Sequence, residues 1–237
     1  MSDSSTLPDI GAELEKKSQF RKAITTFLNK IRTPDKDAAL KSKIINTSLV
    51  LVLGIALGVF SKWLDNLSIN DAIWWQHILG TVDLRNVFSD LGIWVFAAIA
   101  ISVFSKTPLR ASLNVLLFFV GMTVSYHLYT IYFSGFNLQD YMLIWYGITA
   151  ITPILAFVCW YAKGQGKISI VLSGLILAVM FTLSFSIGRW YFDFKSTIDT
   201  ILFVATILVL YVNPKNSSYS LLLAVVLAYA LRIFNIC

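Results

Sequence analysis

Residues 44–64 read IINTSLVLVLGIALGVFSKWL, and this stretch decides the fold class of the chain. It contains no charged residue before Lys62. As a helix it would be about 32 Å long at about 1.5 Å per residue. That length is enough to cross the hydrocarbon core of a bilayer, which is about 30 Å thick. The stretch therefore predicts a transmembrane helix.

Further apolar stretches follow the first one, at Asn86–Phe104, Leu109–Phe133, Tyr141–Ala162, Ile168–Gly188, Ile198–Val212 and Tyr219–Phe234. The sixth stretch of the whole series, Ile198–Val212, is only just long enough to cross. Hydrophobic residues make up 57% of the chain and charged residues 14%, against about a quarter in ordinary soluble domains. We therefore predict an all-α fold, a polytopic transmembrane helix bundle of about seven spans, with residues 44–237 as the transmembrane domain.

The basic residues are unequally divided between the two sides of the predicted bundle. One side carries Lys16, Lys17, Arg21, Lys22, Lys30, Arg32, Lys36, Lys41, Lys43, Lys106, Arg110, Lys163, Lys167 and Lys215. The other side carries Lys62, Arg85, Arg189, Lys195 and Arg232. Basic residues resist translocation, so the richer side is expected to be cytoplasmic. We predict a multi-pass membrane protein with its N-terminus in the cytoplasm and its C-terminus outside.

Residues 1–43 form the predicted cytoplasmic tail, and Asp9–Arg32 within it predicts an amphipathic helix. Its apolar residues recur at helical spacing: Phe20, Ile24, Phe27, Leu28 and Ile31. Thr33-Pro34 ends the helix, because the residue before proline is pushed out of the α region. Nine basic residues of the tail adjoin a membrane helix, so we expect anionic lipid of the inner leaflet, and no nucleic acid, as the partner. Docking to a membrane-protein partner is the alternative.

Small residues in the first span indicate close helix packing. Gly54 and Gly58 lie four residues apart, on one helix face, where another backbone can approach. Packing inside the bundle explains this pattern better than oligomerisation does.

Polar and aromatic residues concentrate toward the side of the spans predicted to face outside. The candidate ligand-binding residues are Arg85, Asp90, His127, Tyr129, Trp145, Arg189 and Trp190. One interpretation is a pocket open to the outside for a small amphiphilic or cationic molecule, because aromatic rings and Asp90 could hold a cation. The other is an aromatic belt with interhelical hydrogen bonds. Lys62 and Asp65, three residues apart, could pair locally.

No motif names a reaction, a cofactor or a metal. The chain has two cysteines and two histidines, without the spacing of a zinc site. The protease motifs Gly-x-Ser-x-Gly and His-Glu-x-x-His are missing from the sequence, as is the nucleotide-binding Gly-x-x-x-x-Gly-Lys-Ser/Thr. The leading hypothesis is a small-molecule binding or transport component. The alternative is a non-enzymatic interaction, immunity or assembly protein of the membrane, and an intramembrane enzyme is the least favoured class.

Two adjoining segments carry a resemblance to known proteins. They are FSKTPLRASLNVLLFFVGMTVSYHLYT, residues 104–130, and LQDYMLIWYGITAITPILAFVCWYAKGQG, residues 138–166. Together they resemble an uncharacterised family of multi-pass membrane proteins from Gram-positive bacteria, and this resemblance implies the bacterial plasma membrane as the location. The architecture is also similar to the substrate-binding components of energy-coupling-factor transporters. That second resemblance implies a small-residue face on the first helix and an outward substrate pocket.

Overall fold

The computed structural model describes residues 10–35, 39–68, 70, 72–135, 139–188 and 190–233. In chain order the elements are α1 (Ile10–Ile31), α2 (Leu40–Asn66), α3 (Trp74–Thr81), α4 (Leu84–Ser89), α5 (Leu91–Phe104), α6 (Pro108–Tyr129), α7 (Gln139–Trp160), α8 (Lys167–Ser184), β1 (Phe185–Ile187), β2 (Phe192–Phe194), α9 (Thr197–Leu210) and α10 (Pro214–Ile233). A π-helical turn, Thr130–Ser134, extends α6, and a 3₁₀ turn, Tyr161–Lys163, extends α7.

Five of these helices are long and apolar enough to cross a membrane, judged by length and composition: α2, the extended α6, the extended α7, α8 and α10. The helices α5 and α9 are apolar but have only 14 residues each. Such a helix is about 21 Å long, shorter than the hydrocarbon core of a bilayer. The fold is helical and of membrane type, and the count of seven crossing helices stays a prediction.

Helices α2 and α6 pack with their backbones close together. A Cβ atom added at Gly54 would lie 2.2 Å from the carbonyl oxygen of Phe118, and one at Gly58 would lie 2.3 Å from that of Met122. On the facing helix, a Cβ at Gly121 would lie 2.8 Å from the Leu51 carbonyl oxygen. Glycine is therefore required on both sides of this contact, since any side chain would force the helices apart.

The second half of the bundle is built around α8, with α5 and α9 against it and α10 on its far side. Small residues again face the contact with α10, where Ala224 and Ala228 are fully buried and Ala178 is 2% exposed. Larger apolar side chains such as Met180 and Phe203 fill the core between α8 and α9. This part of the structure is a tightly packed helical layer.

The predicted second span is not one continuous helix. The chain is extended at Asp90 (φ −84°, ψ 156°), so that α4 ends at Ser89 and α5 begins at Leu91. Aspartate favours helix ends over helix interiors, because its carboxylate competes for nearby backbone groups. The prediction of an uninterrupted helix from Asn86 to Phe104 was wrong at this residue.

The predicted fifth span also ends early, at Ser184 instead of Gly188. Residues Phe185–Ile187 form β1 and pair antiparallel with β2, with Phe185 opposite Phe194. Alternating aromatic side chains suit a strand, and the Phe185 ring lies 4.8 Å from that of Phe181 and 5.3 Å from that of Phe203. Within the described residues, this hairpin is the exception to the all-α prediction.

The C-terminal end of α1 is attached to the bundle. Ile31 is 6% exposed, and its carbonyl accepts a 2.8 Å hydrogen bond from the Gln165 backbone N–H. Gly164 lies against the same carbonyl, where a Cβ would come within 2.4 Å. We call this end of the bundle, where α2 and α6 begin and α5 and α7 end, the Arg32 end. The opposite end, where α2 ends, is the Asp65 end.

Candidate functional site

A small cavity lies at the Asp65 end of the bundle, between α2, α4, α5, α6 and α7. About 20 Å³ of it is open to the centre of a water molecule, which is room for about one water. The lining is aromatic, hydroxylated and acidic: Ser61, Asp65, Phe88, Ser89, Trp94, Met122, Thr123, Tyr126, Tyr141, Met142 and Trp145. We call this space the Asp65 cavity.

In the described part of the chain, the Asp65 carboxylate contacts three polar side chains. Its Oδ2 accepts a 2.7 Å hydrogen bond from the Tyr126 hydroxyl and lies 3.7 Å from Lys62 Nζ. Its Oδ1 accepts a longer one, 3.5 Å, from the Ser89 hydroxyl. The Lys62 side chain is 6% exposed and that of Asp65 is 21% exposed. Charges enclosed in this way are costly and often functional in membrane helices.

The ammonium of Lys62 also lies against an aromatic ring. Its Nζ is 5.3 Å from the centroid of the Tyr126 ring, within the range of a cation–π interaction. Asp65 and Tyr126 therefore both lie against the ammonium group of Lys62.

Aromatic rings form a continuous wall around the cavity. Ring centroids are 5.7 Å apart for Phe88 and Trp94 and 6.4 Å apart for Trp94 and Trp145. The wall continues through Tyr141 to Tyr126, again with 6.4 Å between successive centroids. Most pairs meet edge to face or tilted, which favours attraction between rings and fixes their positions.

The helix break at Asp90 shapes one side of the cavity. The break removes the helical N–H partner of the Phe88 carbonyl, and the indole of Trp94 donates to that carbonyl instead, at 3.0 Å. Trp94 is 2% exposed, so this hydrogen bond satisfies a buried acceptor. Discontinuous helices often form the binding sites of membrane transporters.

Two buried threonines connect α6 and α7 beside the cavity. The hydroxyl oxygens of Thr123 and Thr149 are 3.1 Å apart, and the Thr149 hydroxyl also donates to the Trp145 carbonyl at 2.8 Å. This pair fixes the relative position of the helices that carry Tyr126 and Tyr141.

Among the predicted ligand-binding residues, Trp145 lines the Asp65 cavity. Arg85 and Asp90 lie close by but outside its lining. One terminal nitrogen of Arg85 donates to the Leu67 carbonyl, and its Nε is buried without an acceptor in the described part of the chain. Asp90 is exposed at the junction of α4 and α5.

The remaining predicted residues lie elsewhere. His127 Nδ1 is 2.7 Å from the Tyr146 hydroxyl, which makes an interhelical hydrogen bond between α6 and α7. The Tyr129 ring packs 4.7 Å from that of Phe133, and Trp190 is 92% exposed. Arg189 lies outside the described residues. The structure therefore does not bring this set together around one cavity, and its role in ligand binding stays a prediction.

Sequence reasoning did not select Asp65, Tyr126 or Tyr141 as binding residues. The expected pairing of Lys62 with Asp65 is confirmed, and two opposite charges at the end of an apolar helix were the available signal. The contact of Asp65 with Tyr126 joins residues 61 positions apart. No local spacing could have indicated it.

Within the described ranges, no group of three or more His, Cys, Asp or Glu side chains is arranged to hold a metal ion.

No known protein family, no curated protein and no solved structure matches this chain. The class of protein therefore rests on its own fold, a helical protein of membrane type with five helices suited to crossing a bilayer.

Proposed function

We propose that this protein binds or transports a small cation, such as a protonated amine, at the Asp65 cavity. The observation that carries the proposal is the enclosed carboxylate of Asp65, which is surrounded by aromatic rings and hydroxyls and paired with the Lys62 ammonium. Carboxylates and aromatic faces are the groups that attract ammonium ions in proteins. The cavity lies at the end of the bundle that the charge bias predicts to face outside.

The size of the cavity limits the ligand. A space for about one water suits an ammonium-sized group. A larger amine would require one wall to move. The wall best suited to move is α4, because Phe88 and Ser89 line the cavity and the break at Asp90 separates this six-residue helix from α5.

Lys62 would compete with such a ligand. Its ammonium lies 3.7 Å from Asp65 Oδ2, so an incoming cation must displace it to reach the carboxylate. Removal of the two charges should therefore have opposite effects on binding. This difference separates a binding site from a structural ion pair, in which either loss would only weaken the fold.

The test is saturable uptake of radiolabelled methylammonium into proteoliposomes that contain the purified full chain. We expect Asp65→Asn to abolish uptake. We expect Lys62→Gln to increase the apparent affinity for methylammonium by about tenfold, because the ligand no longer has to displace the charge-assisted contact between Lys62 and Asp65. Asp140→Asn is the matched control, because Asp140 is an exposed acid in the first turn of α7, outside the cavity lining.

Asp65→Asn leaves Lys62 without its carboxylate, so the double variant Lys62→Gln with Asp65→Asn is measured as well. The double variant removes both charges together. We expect it to fold but not to take up methylammonium. Equal uptake by wild type and the double variant would contradict the proposal, as would no saturable uptake by the wild-type chain. Reduced uptake in Lys62→Gln in proportion to lost protein would indicate a structural pair.

A second candidate function, membrane interaction or assembly, has its own observation. The chain is attached at Ile31, yet Leu14, Phe20 and Phe27 on α1 are 62%, 67% and 54% exposed. We infer that these side chains face the headgroup region of an anionic membrane, with the nearby lysines in contact with phosphate. A membrane-protein partner would use the same surface.

A further inference from the structure

A second and larger cavity lies at the Arg32 end, between α2, α5 and α6. Its volume is about 230 Å³, and its rim carries three basic side chains, Lys43, Lys106 and Arg110. Asp35 is the acidic residue in its lining. We call this space the Lys43 cavity. It is separate from the Asp65 cavity and shares no lining residue with it.

The Lys43 cavity has an excess of positive charge. Lys106 Nζ lies 3.1 Å from Asp35 Oδ2, so this pair is internally compensated. Lys43 and Arg110 are then left without a carboxylate among the lining residues. Among the described residues, no carboxylate forms an ion pair with the Lys43 ammonium. A cavity with this charge favours an anion.

Arg110 is held in place by the two helices that it joins. One of its terminal nitrogens donates to the Lys43 carbonyl and, at 2.7 Å, to the Thr47 hydroxyl. The Thr47 hydroxyl donates to Asn114 Oδ1 at 2.8 Å, and Asn114 donates to the Ser105 hydroxyl at 3.2 Å. The two hydrogen bonds of Arg110 use one terminal nitrogen of its guanidinium, and the other terminal nitrogen retains donors for a ligand.

The other wall of the Lys43 cavity is apolar. Val50, Ile101 and Phe104 line it, and Phe104 is 69% exposed. A hydrophilic anion gains nothing from such a wall, whereas an acyl chain would cover it. The combination of a basic rim and an exposed apolar wall therefore favours an amphiphilic anion. Both lie at the level where α2 and α6 begin, which is the expected level of lipid headgroups for crossing helices.

We propose that the Lys43 cavity binds the headgroup of an anionic phospholipid. Lys43 and Arg110 contact its phosphate, Lys106 stays paired with Asp35, and the acyl chains lie along Val50 and Phe104. Basic pockets between transmembrane helices are known to hold such headgroups. The bound lipid would join α2, α5 and α6 at one end of the bundle. This inference does not depend on the function proposed for the Asp65 cavity.

The test is thermal unfolding of the purified full chain in neutral detergent with added phosphatidylglycerol. We expect a saturable rise of the unfolding midpoint. Phosphatidylcholine, which carries a phosphate but no net charge, and inorganic phosphate should not produce it. Lys43→Gln should weaken apparent phosphatidylglycerol affinity by about fivefold at low salt. Lys167→Gln, the same charge change at an exposed position at the start of α8 and outside the cavity lining, should leave it unchanged.

A second pair of variants tests the apolar wall. Phe104→Glu should weaken phosphatidylglycerol binding, and Leu109→Glu should not, since Leu109 is 73% exposed but lies outside the cavity lining. Equal loss in both lysine variants, or in both glutamate variants, would overturn the site in favour of diffuse attraction. Equal stabilisation by inorganic phosphate would overturn the lipid assignment, and no stabilisation by phosphatidylglycerol would overturn the proposal altogether.

Discussion

At the scale of single residues, buried carbonyls at helix ends are satisfied by long side chains. Arg32 donates to the carbonyl of Trp160 at 2.7 Å and to that of Val103 at 2.9 Å, and so joins the ends of α7 and α5. Its guanidinium also stacks 4.1 Å from the centroid of the Trp160 ring. Burial lowers the pKa of Arg32 below its ordinary value, but arginine keeps its proton at neutral pH. The positive charge therefore complements two helix C-termini.

Replacement of Arg32 should measure this contact. We expect Arg32→Gln to reduce the free energy of unfolding by roughly 2 kcal/mol, because two charge-assisted hydrogen bonds are lost at a half-buried site. Arg32→Lys should recover only part of the loss, since an ammonium lacks the planar fork that reaches both carbonyls. The measurement is denaturant unfolding in detergent, with exposed Arg21→Gln as control. An equal effect in the control would contradict the role of Arg32.

Tryptophan performs the same task at two other positions. The Trp94 indole donates to the Phe88 carbonyl beside the break at Asp90, and the Trp160 indole donates to the Ser105 carbonyl at 2.7 Å. Both tryptophans are almost fully buried. These two side chains satisfy backbone groups inside the bundle.

At the scale of elements, the contact between α2 and α6 depends on the absence of side chains. We expect Gly54→Ala to destabilise the protein by about 1–3 kcal/mol, the usual range for an overpacked contact, because the added Cβ meets backbone atoms of Phe118. Gly147→Ala on α7 is the control, since its Cβ has no neighbour within 4 Å. The measurement is the midpoint of denaturant unfolding. A neutral Gly54→Ala would show that α2 and α6 can separate without cost.

The placement of α1 on a membrane surface can be tested with spin labels on two faces of the helix. Positions 27 and 29 are about 200° apart around a helix. In nanodiscs with anionic lipid, a label at Phe27→Cys should contact lipid-dissolved oxygen, and one at Asn29→Cys should stay in water. At about 1 M salt, where screening shortens to about 3 Å, the label at 27 should be released. Water exposure at both positions in low salt would contradict surface binding.

At the scale of the whole molecule, the two short helices connect the same levels as their long neighbours. The ends of α5 and α7 meet at Arg32, and the starts of α5 and α9 lie together, where a Cβ at Gly92 would be 3.4 Å from Asp199 Oδ1. Asp199 is 4% exposed, and its backbone N–H donates to the hydroxyl of Ser196, which caps the N-terminus of α9. A path of seven crossing helices, two of them short, stays a prediction.

Cysteine labelling tests that path. In a background with Cys159→Ala and Cys237→Ala, we expect a cysteine at Ser18 or Ser218 to react only with a permeant reagent in whole cells. A cysteine at Ser68 should react with an impermeant one. The reason is the charge bias combined with an even number of crossings between Ser18 and Ser218. Labelling of position 218 only from outside would contradict the topology and is the result expected if α9 does not cross.

The amino-acid sequence by itself determined the helical membrane class, most helix positions and the pairing of Lys62 with Asp65. These features depend on local composition, periodicity and spacing, and all three can be read along the chain. The unbroken helix through Asp90 and the helix after Ser184 were predicted wrongly, because a polar residue or an aromatic run in an apolar stretch has several possible local conformations.

Only the tertiary structure decided which polar residues of different helices meet. Asp65 and Tyr126 form the cavity site across 61 positions, whereas His127, one residue further along α6, pairs with Tyr146 instead. Adjacent helical residues point about 100° apart, so the rotation and packing of whole helices select the neighbour of each side chain. That selection depends on contacts such as Gly54 against Phe118, whose two partners are far apart in the sequence.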